Sequence, residues 1–420
     1  MMKKKLYYNI RGRLAACGLL MAMALPNATA QVTDDNTSDE AMQLPEGMQT
    51  QEIDSLLKDW AVRNFLTFDD NCQTTGENPV FDDETYKKRL GRLPNVIEMP
   101  YNDVVKKYID QYSGRLRRTV SIMLGASNFY NPIFEEALES YQLPLELKYL
   151  PVIESALNPG ATSRMGAAGL WQFMIGTGKQ YGLEVTSLID ERRDPVKASY
   201  AAVRYLKDLY DIFGDWTLVI ASYNCGPNNI SKAIKRAGGV KDYWTIYPYL
   251  PNETRGYVPA FIAANYIMNY YCEHNICPVN TSLPQATDTI VVNKNVDIDT
   301  IVVRCGITKE EFKALNPQYR TSLIPGDSHA CIIRMPSENI AAFIEEGDSI
   351  YLRENAKTPV REVAVSSDTG KSKAKKYVTI RKGDNLGAIA KRNHTTVSAL
   401  RRLNGIRGNN IRAGRKLRVR

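Results

Sequence analysis

The sequence predicts a multidomain chain in which an all-α domain precedes two small α+β modules of βααβ type. Three observations carry the prediction. Helix start and stop signals crowd residues 97–280, β-rich segments alternating with short helices begin near residue 285, and a pattern of residues from 290 to 326 recurs at a constant spacing of 88. With 420 residues, 44% of them hydrophobic, the chain can bury more than one core, which excludes a wholly disordered or fibrous protein.

Residues 1–30 read as an export signal. A basic start (Lys3, Lys4, Lys5, Arg11, Arg13) is followed by an apolar run from Leu14 to Leu25 and then by Asn27-Ala28-Thr29-Ala30, which suits cleavage before Gln31. A lipoprotein box ending at Cys17 is the weaker reading, because its apolar run would contain Arg11 and Arg13. The chain is thus expected in the periplasm or cell envelope, with peripheral or lipid-anchored membrane association left open. Six cysteines would remain: Cys72, Cys225, Cys272, Cys277, Cys305 and Cys331. Free or simply paired structural thiols are expected, and three histidines in the whole chain argue against a His-rich zinc site. No cofactor is expected.

Residues 31–96 read as a disordered leader with one packing helix: 31–50 are polar, 52–68 carry apolar periodicity, and 69–95, punctuated by Gly76, Pro79, Gly91 and Pro94, look irregular. Within 97–280, Asn131-Pro132 followed by Glu135 resembles a helix start, and Asp194-Pro195 repeats the device ahead of an apolar face ending at Gly214. Asp215 then caps the next helix.

The repeat aligns Ile290, Val292, Ile298, Ile301, Phe312, Leu315, Asn316, Leu323 and Gly326 with Val378, Ile380, Leu386, Ile389, Leu400, Leu403, Asn404, Ile411 and Gly414. This defines modules at 285–336 and 376–420, separated by a charged linker over 337–375. The second copy, from Tyr377-Val378-Thr379-Ile380 through Gly383-Asp384-Asn385-Leu386 to Leu403-Asn404 and Gly414, resembles a LysM domain. That resemblance implies a βααβ glycan-binding module, with Gly383, Asp384, Asn385, Leu386 and Asn404 as its glycan-binding residues. In the first copy Asn295-Val296 replaces Gly383-Asp384, so its fold is expected to persist in degenerate form.

Four segments of the helical region carry chemistry. Leu150-Pro151-Val152-Ile153-Glu154-Ser155-Ala156-Leu157 sets one carboxyl among apolar residues, where burial disfavours the charged form, as a general acid near neutral pH requires. Ser163-Arg164-Met165-Gly166-Ala167-Ala168-Gly169-Leu170-Trp171-Gln172-Phe173-Met174 offers glycines for close backbone approach, aromatics that are either core or sugar platform, and an amide suited to hydroxyls and acetamides. Ser222-Tyr223-Asn224-Cys225-Gly226 and Gly256-Tyr257-Val258-Pro259 follow.

Together the four segments resemble the lytic transglycosylases with the soluble-lytic-transglycosylase, lysozyme-like fold, and the LysM modules behind them point to the membrane-bound D type. The resemblance implies Glu154 as catalytic acid/base, with Ser155, Ser163, Gln172, Phe173, Met174, Tyr223, Asn224 and Tyr257 as substrate-binding residues and peptidoglycan glycan strands as partner. One departure is Ile175, where the family usually has proline.

No Asp or Glu lies between Glu154 and Glu184, and none of the other three segments contains one, which suits a reaction whose substrate supplies its own nucleophile. In the family the C6 hydroxyl of N-acetylmuramic acid attacks C1 of the same sugar and leaves a 1,6-anhydro end. Asp190, Asp194 or Asp215 could fold near Glu154, so a hydrolytic muramidase of goose-lysozyme type stays open, as does a non-catalytic wall-binding scaffold. The net charge of +8 divides into +5 over 1–30, −12 over 31–370 and +15 over 371–420. Export and the LysM pattern assign that basic tail to the cell wall and not to nucleic acid. A monomer is expected.

Overall fold

The structure, a computed structural model, describes residues 66–68, 77–281, 283–284, 286–351 and most of 377–419. The export segment, the apolar stretch over 52–65, Cys72 and the linker over 352–375 lie outside the described residues. Two elements open the described chain: β1 (Leu66–Phe68), and α1 (Asp83–Leu90), whose first turn is capped by Asp82 accepting from the Thr85 N–H at 2.7 Å. The sequence reading took 69–95 as irregular. Asp82 with Asp83 and Glu84 is enough to start a helix there, because acidic side chains answer the exposed N–H groups and the positive end of the helix dipole. Its Tyr86 and Leu90 are buried in the main core.

Asn102 caps α2 (Asp103–Ser113), whose Val105, Tyr108, Ile109 and Tyr112 form one buried stripe. Then comes α3 (Arg117–Ser140), which corrects the helix start expected at Asn131: Pro132 sits inside it. Asn128 is exposed, so water can reach the carbonyl that loses its helical partner. A 3₁₀ turn (Leu145–Tyr149) leads into the short α4 (Leu150–Ser155), and α5 (Ile175–Gln180) begins after an irregular loop. Ile175 takes the first helical position, where proline is favoured but not needed, so that departure leaves the helix intact.

Further along, α6 (Pro195–Phe213) starts on Asp194 and ends at Gly214 in the left-handed region, and α7 (Trp216–Cys225) is capped by Asp215. Next come α8 (Pro227–Arg236), α9 (Tyr243–Ile246) and the buried α10 (Asn252–Asn269), which packs on α2, α7 and α4. One hydrophobic cluster runs from Tyr86 to Ile276. β2 (Val279–Thr281) pairs antiparallel with β1.

In the first βααβ module, β3 (Thr287–Val292) and β4 (Asn295–Asp297) precede α11 (Ile298–Cys305) and α12 (Lys309–Leu315), followed by β5 (Leu323–Pro325) and β6 (Cys331–Pro336). β3 pairs with β6 and β4 with β5, all antiparallel. The linker expected from 337 starts later, because α13 (Ile340–Glu346) and the turn after it bury Phe343 and Ile350 in this module's core. Nor is the core self-contained, since Leu188 and Ile189 of the helical domain are part of it.

The second module repeats the plan with β7 (Tyr377–Thr379), α14 (Leu386–Arg392), α15 (Val397–Asn404) and β8 (Lys416–Arg418) around Ile380, Leu386, Ile389, Leu400 and Leu417. The Leu-Asn signature is the same clamp in both copies. Asn316 accepts from the Arg334 N–H at 2.8 Å and donates to the Arg334 carbonyl at 2.7 Å, and Asn404 makes both bonds to Arg418 at 2.8 Å. The clamp spans 18 residues in the first copy and 14 in the second, so the repeat at 88 holds through the helices and the first module carries four extra residues before its last strand.

His274 closes the helical domain. Its ring packs edge-on against Phe81, its Nε2 lies 3.1 Å from the Tyr266 hydroxyl, and burial followed by Arg89 and Arg117 pushes its pKa down to about 4. Only the neutral ring suits the fold, so its contribution is complete above the unfolded value of about 6.5 and is lost as pH falls toward 4. Melting temperature measured between pH 7 and pH 4 should therefore fall more steeply in the parent than in His274→Phe, and parallel slopes would contradict this.

Candidate active site

Glu154 stands on the last turn of α4, whose Leu150, Pro151, Val152, Ile153 and Ser155 are all buried. The helix stops because Ala156 and Leu157 both take left-handed backbone (φ 51° and 60°), which leaves Glu154 half-buried at the edge of the core. From behind, the buried hydroxyl of Tyr257 on α10 donates to Glu154 Oε1. Burial first, and then the charge of Glu154, raises the Tyr257 pKa well above its ordinary value, so the phenol remains a donor.

In front of Glu154 lies a cavity of about 390 Å³. Of the residues expected at a binding site, Ser163, Gln172, Phe173, Met174, Tyr223 and Asn224 line it together with Glu154. Ser155 and Tyr257 are corrections. Ser155 is fully buried and donates to the Leu170 carbonyl at 2.9 Å, tying α4 to the loop before α5, while Tyr257 supports the carboxyl from within the core. Trp171 is core, its indole N–H donating to Ser199 Oγ at 2.9 Å and its ring edge-on to Phe134.

The loop over 161–174 folds back on itself. Ala168 and Phe173 exchange both backbone hydrogen bonds at 3.1 Å, and Ser163 accepts from the Ala167 N–H. Gln172 is held in left-handed backbone (φ 48°), with its amide donating to the Gly169 carbonyl at 2.8 Å. Such a conformation costs of order 1–3 kcal/mol and persists only where its surroundings fix it. The glycines of this loop were expected to admit a bound chain. Gly169 instead admits the protein's own backbone, since a Cβ there would sit 1.7 Å from the Arg192 carbonyl oxygen.

From α7, Tyr223 donates to the Trp171 carbonyl at 2.8 Å, and Asn224 accepts from Thr254 at 2.9 Å. Sequence reasoning missed Met165, Thr177, Tyr205 and Glu253 on the lining. Glu253 lies four residues before Tyr257, so one helical turn brings it to the same region. That spacing is the signal that could have found it. The three distant aspartates are occupied elsewhere: Asp190 pairs with Arg192, and Asp194 and Asp215 cap helices.

The described lining carries two carboxylates and no Lys or Arg. It suits hydroxyls, amides and ring faces and would repel phosphate. Among the described residues no cluster of His, Cys, Asp and Glu could hold a metal. The residues read as glycan-binding in the second module have structural tasks. Gly383 takes the turn at φ 91°, Asp384 accepts from the Arg381 N–H and pairs with Arg392, Asn385 caps α14, Leu386 is core and Asn404 is the strand clamp. Cys225, Cys272, Cys305 and Cys331 are free thiols, and Cys277 is disulfide-bonded.

Residues 131–246 match the transglycosylase SLT domain, 286–352 the LysM-like domain of the lytic transglycosylase MltD, and 378–420 the LysM domain. The chain is 29% identical over 327 residues to membrane-bound lytic murein transglycosylase D of Escherichia coli, covering 76% of this chain and 70% of that one. It is 30% identical over 151 residues to the soluble lytic murein transglycosylase of the same organism, covering 34% of this chain and 23% of that one. The solved 70 kDa soluble lytic transglycosylase of E. coli aligns with 29% identity and a TM-score of 0.30, over 34% of this chain and about a quarter (24%) of that one.

The close approach at Gly169 gives a stability test. Gly169→Ala adds a backbone clash to an unfavourable φ and should cost more than about 3 kcal/mol, whereas Gly166→Ala, with open space around it, should cost about 1 kcal/mol. Denaturation midpoints compare the two, and equal midpoints would contradict the packing.

Proposed function

We propose that this lytic murein transglycosylase homologue of the MltD type cleaves the β-1,4 bond between N-acetylmuramic acid and N-acetylglucosamine in peptidoglycan without water, leaving 1,6-anhydro-N-acetylmuramic acid ends. The observation that carries the reading is Glu154 at the wall of a cavity whose described lining holds no Lys or Arg, with its carboxyl fixed by a protonated phenol. Glu154 donates its proton to the glycosidic oxygen as the C1–O bond breaks. It then takes the proton of the C6 hydroxyl as that oxygen closes on C1 of the same sugar. One carboxyl serves both steps, as acid and then as base.

Gln172 and Asn224 offer amide groups to sugar hydroxyls and acetamides, and Tyr205 and the exposed Met165 and Met174 offer apolar surface to ring faces, with Phe173 buried behind them. The C-terminal LysM module, in the strongly basic last fifty residues, holds the enzyme on glycan, and the export signal delivers it to the cell envelope.

Hydrolysis is the second reading, and Glu253 is the observation that favours it. An inverting muramidase needs a second carboxylate to activate water, and Glu253 lines the same cavity. Its exposed position speaks against an activated base. Glu154→Gln should lower the rate of peptidoglycan solubilisation by a factor of about 10² to 10⁴, whereas Glu253→Gln should lower it by less than about tenfold. Turbidity clearance of purified sacculi measures both. A fully active Glu154→Gln would remove the acid from this account, and an inactive, folded Glu253→Gln would favour hydrolysis.

A further inference from the structure

One buried guanidinium joins the cleft loop to the LysM-like module. Arg192 donates through Nε and Nη2 to the two oxygens of Asp190, each at 2.8 Å, and through Nη1 to the carbonyls of Gly166 at 2.8 Å and Phe173 at 2.9 Å. Gly166 and Phe173 stand on the two sides of the loop turn that carries Gln172, so a single side chain sets the width of the loop beside Glu154. The arginine stem packs on α5 as well, because a Cβ on Gly178 would lie 3.2 Å from its Cγ.

Arg192 is itself held from the module side. The Asp190 N–H donates to the Gln318 carbonyl at 2.8 Å, the Arg320 N–H to the Leu188 carbonyl at 2.9 Å, and Arg320 Nη1 to the Thr186 carbonyl at 3.1 Å. Leu188 and Ile189, between these contacts, are buried in the module's core. The segment over 186–192 is therefore gripped by the module at one end and grips the cleft loop at the other.

We propose that Arg192 is a positioning residue for cleavage, held in register by Asp190 and by the docked LysM-like module. The inference rests on Glu154 being the acid, because what Arg192 positions is the wall that faces Glu154. Lysine cannot take its place: one ammonium offers no planar fork to span a carboxylate and two carbonyls at once. A wall displaced by about 1 Å can cost about 10²-fold in rate while the many weak contacts that bind a glycan survive.

The test uses the full chain with purified sacculi, comparing Arg192→Lys, Asp190→Asn and Arg320→Ala with the parent. Assays run well below each variant's melting temperature, with near-UV circular dichroism to verify packing. Arg192→Lys and Asp190→Asn should lose about 10- to 100-fold in kcat with KM nearly unchanged and an unaltered pH profile. Arg320→Ala, which removes a single surface contact of the grip, should lower kcat in the same sense by a smaller factor, and it decides the matter if the buried variants fail to fold. Folded variants that keep the parental kcat, or whose loss lies wholly in KM, overturn the proposal. If Glu154→Gln is inactive while Arg192→Lys is normal, the positioning role alone fails. If Glu154→Gln is active, the reading of the site fails first.

Discussion

A phenol buried in the core donates to a carboxyl at the core's edge, across 103 residues of sequence, and much of the helical domain is arranged to keep those two groups in place. Tyr257 is fixed because α10 is buried along nearly its whole length between α2, α7 and α4. Glu154 is fixed because α4 ends abruptly in two left-handed residues and is tied through Ser155 to the loop ahead of α5. Rotation of the carboxyl away from the cavity would leave the Tyr257 hydroxyl without its acceptor in a buried site, which costs about 1–3 kcal/mol. The geometry of this pair thus follows from packing and from an unmade hydrogen bond being expensive.

The helical domain was legible where local chemistry decides. Asp194-Pro195 and Asp215 begin helices as their cap chemistry dictates, and Gly214 ends one. Asn131-Pro132 misled because a proline on an exposed face can be tolerated within a long buried helix, and whether that face is exposed depends on tertiary packing. The motif segments pointed to one cavity, yet sequence alone could not separate residues that face it from residues that hold it. Ser155, Trp171 and Tyr257 lie within the motifs and point into the core, while Glu253 and Tyr205 lie outside them and line the cavity. Only the fold decides which side of a helix meets the solvent.

The two βααβ modules show the same distinction. Their shared signature is a folding signature, since Asn316 and Asn404 each bind the backbone of the last strand, and in the second copy Asn385 caps α14 and Gly383 takes the turn before it. A repeat with such residues in register therefore predicts the fold well and says less about where a sugar would lie. The first copy also recruits Leu188 and Ile189 from the helical domain, an exchange no periodicity could reveal, since those residues lie in the non-helical stretch between α5 and α6. Its core is thus continuous with the helical domain, while the second copy has a core of its own.

In the proposed reaction Glu154 works as both acid and base, and the substrate's own hydroxyl, not water, attacks the sugar. Digestion of purified sacculi in water enriched in ¹⁸O, followed by mass spectrometry of the released fragments, addresses it directly. Muramic acid ends should carry no label. One ¹⁸O atom at the reducing end for each bond cleaved would make water the nucleophile and contradict the proposed reaction.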